Sequence, residues 1–559
     1  MNRTVQAMVR KTHALLIFLI LTMITGCTRQ EADLLITNAV VYTVDPYFSR
    51  AESFVVTGGK ITASGTTAEM TRRFNAREVV DMERKVVYPG FIDAHAHFTG
   101  YGINLIEYAD LKGTRSPKEV YARLLAHIQK TGGPWLLGRG WDQNDWPVKE
   151  FPDNEELDRL FPDIPVYLVR IDGHAGWCNS KALKIAGVTA EIRIDGGEVV
   201  LKNGKPSGIL IDNARTLVTR LIPVPGSDLK IKALHAAQEN CLRAGLTSVT
   251  DCGLPKSTIL LMDSLHKSGI LKIRINAMIN PDQENFDHFL KNGIYKTDRL
   301  QVNTIKIYAD GALGSRGALM LEPYSDDPGN RGLQIAPQEF YDDICSKALQ
   351  YGYQVSTHAI GDSANRLVLN TYGRFLGGKN DRRWRIEHAQ VVYPSDFLLF
   401  ARYSVVPSIQ ATHATSDMEW AGERLGEERL RGAYAYRQLL QQLGWIPNGT
   451  DFPIEAIFPL NTFYAAVFRT DHTGCPTGGF QMENSLSREE ALRSMTLWAA
   501  KASFEENEKG SLEPGKWADF VVLDTDLMTA SPEEILNATV VATYIAGEKV
   551  YPQDATFYP

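Results

Sequence analysis

The stretch VVYPGFIDAHAH, residues 86–97, opens on β-branched and aromatic residues, passes Pro89 and Gly90, and ends in DAHAH. Side chains along a strand alternate between its two faces. Asp93, His95 and His97 therefore share a side. Two imidazoles two residues apart on an inward-facing strand can hold one cation. The same spacing also suits two hydrogen-bonded histidines at a domain seam, so the pair needs partners elsewhere in the chain.

Outward from this stretch, β-rich runs alternate with helical ones. They are LTSVTDCG (246–253), KIRINAMI (272–279), NTIKIYADG (303–311), YQVSTHAIGD (353–362), RWRIEHAQVV (383–392), YSVVPSIQAT (403–412) and GWIPNGTDFP (444–453). With 86–97 they make eight strands separated by segments such as LKIKALHAAQENCLRA, which predicts an α/β fold, a (β/α)8 TIM-like barrel over residues 89–505. A βα unit needs about 30 residues. The gap after the first strand therefore predicts an insertion, about 100–240, with strands at PWLLGRGWDQ, PVYLVRIDGHAGW and GEVVLKNGKPSG.

Near the two ends, ADLLITNAVVYTV, SFVVTGGKITASG, KWADFVVLDTD and VVATYIAGEKVY read as antiparallel strands. They predict one small β-sandwich domain composed of residues 33–88 and 506–559. Ahead of it, Arg3, Arg10 and Lys11 precede the apolar run ALLIFLILTMI, too short to span a bilayer, and then Ile24-Thr25-Gly26-Cys27. Residues 1–27 resemble a bacterial lipoprotein signal peptide with lipobox Cys27. The expectation is an exported protein tethered to a membrane by a lipid on Cys27.

The 559 residues are 44% hydrophobic and 22% charged with a net charge of −7, a globular composition with no basic cluster beyond the N-terminus. That speaks against a nucleic-acid partner, which requires concentrated positive charge. Of the six cysteines, Cys178, Cys241, Cys252, Cys345 and Cys475 remain after Cys27, an odd set without CxxC spacing. They read as small core residues rather than a disulfide framework or zinc knot.

In such a barrel the chemistry lies where the strands end at their C-terminal side. Lys306 lies on the fourth strand; the fifth, sixth and eighth end near His358, His388 and Asp451. With 12 histidines in the chain, four placed at strand ends is more than scatter provides. This set resembles the amidohydrolase superfamily. KIYADGALGSRGA, HAIGDSAN, RIEHAQ and GTDFPIE resemble its YtcJ-like (amidohydrolase 3) branch, which also includes N-substituted formamide deformylases. The resemblance runs from about residue 33 to 550.

It implies that His95, His97 and Asp451 hold one divalent metal and that His358 and His388 hold a second. Lys306 would bridge the two as a carbamate formed with carbon dioxide, a buried lysine losing its charge readily. A plain Lys306 with one metal is the alternative. Neutral imidazoles with carboxylate-type oxygens suit zinc, with iron, manganese and nickel as the alternatives. The implied reaction is attack of a metal-activated hydroxide on an amide, N-formyl or cyclic amide carbonyl, with Asp451 moving the proton to the leaving nitrogen.

Around this centre, Arg316 could clamp a substrate carboxylate or pair with Asp326. Trp141, Asp142 and His174 in the insertion, and His413 after the seventh strand, are substrate-pocket candidates. Gln410 lies near the site without a ligand role. Trp420 and Trp445 read as core aromatics, and Asp310 and Asp362 as residues that hold loop shape. The partner expected is a small molecule; a homo-oligomer is left open. The competing readings are a metal-stabilised binding or regulatory lipoprotein without catalysis, and an esterase or isomerase of the same fold.

Overall fold

Seven parallel strands pair in chain order: β1 (Phe91–Ala96), β2 (Leu246–Leu254), β3 (Arg274–Ile279), β4 (Leu300–Tyr308), β5 (Gln354–Ala359), β6 (Arg385–His388) and β7 (Val406–Ser408). This is a computed structural model, and it describes residues 29–552. The leader 1–27 with its Cys27, and the last residues of the expected C-terminal segment, lie outside the described residues.

The eighth position is filled by an irregular segment rather than by a strand over 444–453. Ile409 bridges Asn448 in parallel. On the other side the Asp451 N–H donates to the His95 carbonyl at 2.8 Å, and the His97 N–H to the Phe452 carbonyl at 2.8 Å. Pro447 and Pro453 bring no N–H to a ladder, and Asp451 sits at φ 61, which stops regular pairing. The seventh run is also shorter than expected, because its end turns into the helix Ala411–Asp417.

Helices pack the outside of the ring through apolar stripes. In Gln338–Tyr351 the buried residues Tyr341, Ile344, Cys345 and Ala348 follow helical spacing, and Gly352 ends the helix in the left-handed region at φ 76. The residues 86–97 prove to be two strands in two sheets. Val86–Pro89 pairs with Val40–Tyr42 and Phe520–Leu523, whereas Phe91–Ala96 opens the barrel. Gly90 makes the break possible: a Cβ there would lie 2.3 Å from the Thr247 side chain.

The sheet holding Val86–Pro89 has six strands drawn from both ends of the chain. A second sheet combines Gln30–Thr37, Ser53–Thr57, Lys60–Gly65 and Phe74–Asp81. Leu34, Ile36 and Val56 of one pack on Val87, Val522 and Tyr544 of the other, with Phe54 edge-on to Phe520.

The insertion folds as a mixed six-stranded sheet. Ala109–Asp110, Leu136–Trp141 and Val166–Arg170 run parallel; Ala175–Cys178, Lys205–Asp212 and Gly197–Lys202 follow antiparallel. The run PVYLVRIDGHAGW thus divides into two strands around a turn at Gly173, φ 76, and that turn carries His174. Cys178, Cys241, Cys252 and Cys345 are buried, Cys475 is exposed, and all are free thiols. Among the described residues no helix is long and apolar enough to cross a membrane.

Candidate metal centre and active site

The strand ends bring the predicted metal-binding side chains to one cavity of about 740 Å³. Asp451 stands at its floor. Its Oδ1 is 3.4 Å from His95 Nε2 and 3.2 Å from His97 Nε2, and its Oδ2 is 3.6 Å from His413 Nε2. Burial would raise the Asp451 pKa, but His95 and His97 hold it well below the carboxylate range. Asp93, which shares the parity of the two histidines, serves the frame instead. It accepts from the Thr450 hydroxyl at 2.6 Å and the Thr450 N–H at 3.0 Å, tying β1 to the eighth segment.

His95 is oriented from behind. Its Nδ1 lies 2.5 Å from Glu387 Oε2, leaving Nε2 to face Asp451. The Glu387 carboxylate also accepts from the Ser356 hydroxyl at 2.6 Å and forms an ion pair with Arg385 at 2.7 Å. Its burial is outweighed by Arg385 and His95, which keep it ionised. Glu387 was not singled out in the sequence, although it sits beside His388 in RIEHAQ. Alternation would send neighbours to opposite faces, but His388 has φ 75, and both reach the His95 ring.

Ligand-capable atoms fall into two groups within 4.8 Å: His95, His97 and Asp451, and His388, His413 and Asp451. His413, expected to touch substrate, therefore stands within ligand range. His358, expected as a ligand, lies beside His388 with ring centroids 4.6 Å apart, and its Nε2 is 3.2 Å from the Gly311 carbonyl. Burial and neighbouring histidines push His358 and His388 well below the ordinary imidazole pKa, so both are neutral. Asp310 accepts from the N–H groups of Leu319, Ile360 and Gly361 and holds the loops around β4 and β5.

Lys306 Nζ is buried without a hydrogen-bond partner, 4.9 Å from the Tyr308 ring centroid. Burial alone would discharge it. Here the nearby Tyr308, Cys252, Glu387 and Asp451 outweigh burial and raise its pKa, so burial is not by itself the route to a carbamate. His95 Nε2, His388 Nδ1, His413 Nε2 and Asp451 Oδ1 are likewise buried without hydrogen-bond partners. An unsatisfied buried polar atom costs about 1–3 kcal/mol. Five at one spot, all nitrogen or oxygen donors, fit a cluster built to hold divalent cations.

The insertion forms the upper wall. Arg170, 1% exposed, reaches both Asp142 and Asp172, and its Nε donates to Gln143 Oε1 at 2.8 Å. His174 Nδ1 pairs with Asp212 Oδ1 at 2.6 Å, and its ring lies 4.9 Å from His358. Asp142, His174 and His413 line the cavity; Trp141 and Arg316 do not. The Trp141 indole donates to the Leu168 carbonyl at 3.0 Å and packs on Trp146 and Trp177 in the core of the insertion. Arg316 pairs with Asp326 at 2.8 Å, outside the cavity.

The cavity's Arg170, Asp212, Lys112, Arg139 and Arg215 went unnoticed in the sequence. They sit on strands and turns of the insertion whose approach to the barrel leaves no periodic signal. Trp420 is buried in the main hydrophobic core, as expected, and also lines the cavity, whereas Trp445 packs away from it.

The amidohydrolase family model matches residues 78–551. The chain is 33% identical to Protein LONG AFTER FAR-RED 3 of Arabidopsis thaliana, over 93% of this chain and 92% of that one. It is 31% identical to the putative amidohydrolase YtcJ of Bacillus subtilis, over 91% and 98%. It is 26% identical to the N-substituted formamide deformylase of Arthrobacter pascens, over 93% and 98%. An uncharacterized metal-dependent hydrolase of Pyrococcus horikoshii superposes with TM-score 0.73 at 28% identity, covering 89% of this chain and 99% of the other. With its barrel, its strand-end histidines and these relatives, this chain belongs to the amidohydrolase family, on the YtcJ-like branch.

Proposed function

We propose that the protein is a metal-dependent hydrolase that cleaves a carbon–nitrogen bond outside peptide linkages, in an amide, an N-formyl group or a cyclic amide. The observation that carries this reading is the set of buried nitrogen and oxygen atoms without partners around Asp451. The likeness to an N-substituted formamide deformylase supports the bond type.

His95, His97 and Asp451 would hold one divalent ion. His388, with His358 and His413 at its sides, would hold a second, and a Lys306 carbamate would join them. Zinc suits this donor set. A bound divalent ion polarises a carbonyl and lowers the pKa of nearby water towards neutrality. The chain's own residues do the rest. Asp451, kept ionised beside His95 and His97, takes a proton from the attacking water and delivers it to the leaving nitrogen. Glu387 holds the His95 ring in its tautomer. The insertion walls the cavity and positions the small molecule.

The leader at residues 1–27 supports export and attachment through a lipid on Cys27. A panel of acyl amines assayed with and without chelator tests the activity. Turnover that chelation abolishes and zinc restores is expected; metal-loaded protein inert on every acyl amine would overturn the reading. Asp451→Asn should lower kcat by about 10²–10⁴-fold with the fold retained, the range for a proton-transfer group. Retained activity would remove Asp451 from that role.

A further inference from the structure

The charged groups around the cavity are partnered unevenly. Outside the metal centre, four of its acids are committed through at least one oxygen. Asp142 and Asp172 are held by Arg170, Asp212 by His174, and Asp417 accepts from the Tyr434 hydroxyl at 2.8 Å. Three cations lining the same cavity are not: Lys112, Arg139 and Arg215 have no carboxylate within ion-pair distance among the described residues.

Their contacts are to neutral groups. Lys112 Nζ donates to the Glu455 carbonyl at 3.4 Å. Arg139 Nη2 donates to the Ile171 carbonyl at 3.3 Å, and its Nε is buried without a partner. Arg215 Nε donates to the Tyr167 hydroxyl at 3.0 Å and Nη1 to the Gly173 carbonyl. Burial and the charge of Arg215 lower the Arg139 pKa to about 10, and burial and Arg139 lower that of Lys112. For Arg215, burial is outweighed by Tyr167, with Asp212 and Asp172 farther off, and its pKa is raised. Like charges gathered out of water without a counter-ion are costly unless a ligand supplies one.

This group adjoins the metal centre. The carbonyls taken by Arg139 and Arg215 belong to the turn that presents His174, whose ring touches His358. Glu455 follows Asp451 by four residues, just past the eighth segment. We propose that Lys112, Arg139 and Arg215 form an oxyanion subsite, and that the substrate is a small amide carrying a carboxylate. The substrate clause rests on the hydrolase reading above; the subsite does not. Planar guanidinium forks match a carboxylate in two parallel hydrogen bonds.

Calorimetry on the purified full chain, with N-acetylglycine and its neutral counterpart N-acetylglycinamide, tests the subsite. N-acetylglycine should bind about ten-fold more tightly or better, the worth of one charged hydrogen bond. Arg139→Gln and Lys112→Met, each checked for an unchanged melting temperature, should remove most of that preference. Equal affinities, or a preference that survives both variants, would overturn the subsite. Tighter binding of N-acetylaminomethylphosphonate than of N-acetylglycine would overturn the carboxylate assignment. If the preference is present and lost in both variants while no acyl amine is hydrolysed by the zinc-loaded protein, the subsite stands and the hydrolase reading fails.

Discussion

Replacing Glu387 by Gln would test how the metal centre is oriented. Three donors hydrogen-bond this carboxylate, the Ser356 hydroxyl on Oε1 at 2.6 Å and His95 Nδ1 and Arg385 Nη2 on Oε2 at 2.5 and 3.1 Å, while Arg385 Nε lies 2.7 Å from Oε1 as an ion pair. Glutamine offers one oxygen and one NH2, so whichever way it settles the NH2 meets donors. Arg385, 0% exposed, then loses its counter-ion. Breaking a buried pair from one side costs about 3–5 kcal/mol, a melting shift on the order of 5 °C for a chain of this size. His95 loses the acceptor that fixes its tautomer, which should weaken metal binding by about 10–100-fold. Competition with a fluorescent chelator reads the affinity, and thermal unfolding with and without metal reads the stability. Unchanged affinity with a lowered melting temperature would mean that Glu387 serves Arg385 alone. No change in either would refute the reasoning.

Two further predictions lie away from the metal. Gly90→Ala drives a Cβ to 2.3 Å from Thr247 Oγ1 and Cγ2 and should cost about 1–3 kcal/mol in denaturant unfolding. Thr247→Ala in the same chain should recover part of that loss, and no loss in the single variant would count against a close-packed break at Gly90. His266 donates from Nε2 to the Ile273 carbonyl at 2.9 Å, with Nδ1 buried and unpartnered. Burial lowers its pKa to about 4. Because the folded pKa is depressed, its contribution is present above pH 6.5 and is lost as pH falls towards 4, on the order of 2–3 kcal/mol. His266→Phe should flatten stability over that window; an unchanged slope would show that His266 does not carry it.

The barrel was legible because strand and helix periods alternate along the chain, and the strand-end residues His95, His97, Lys306, His358, His388 and Asp451 were legible because barrels gather chemistry at one end. Local patterns also reached the strands at the two ends of the chain, since alternation and turn residues are local properties. Other features depended on where distant segments meet. The break at Gly90 exists only because Thr247 on β2 presses against it. Glu387 faces His95 because the left-handed backbone at His388 ends the alternation on which sequence parity relies. His413 rather than His358 falls within 4.8 Å of His388 and Asp451 through the turn of β7 into a helix. Arg316 left the cavity for Asp326, and Trp141 turned into the insertion's own core. By itself, then, the sequence determined the family, the barrel and the donor types at the strand ends, because period and residue chemistry are carried locally. Which donors approach one another, and which cations of the insertion face the same cavity without a counter-charge, was decided by tertiary packing, because those distances join segments far apart in the chain.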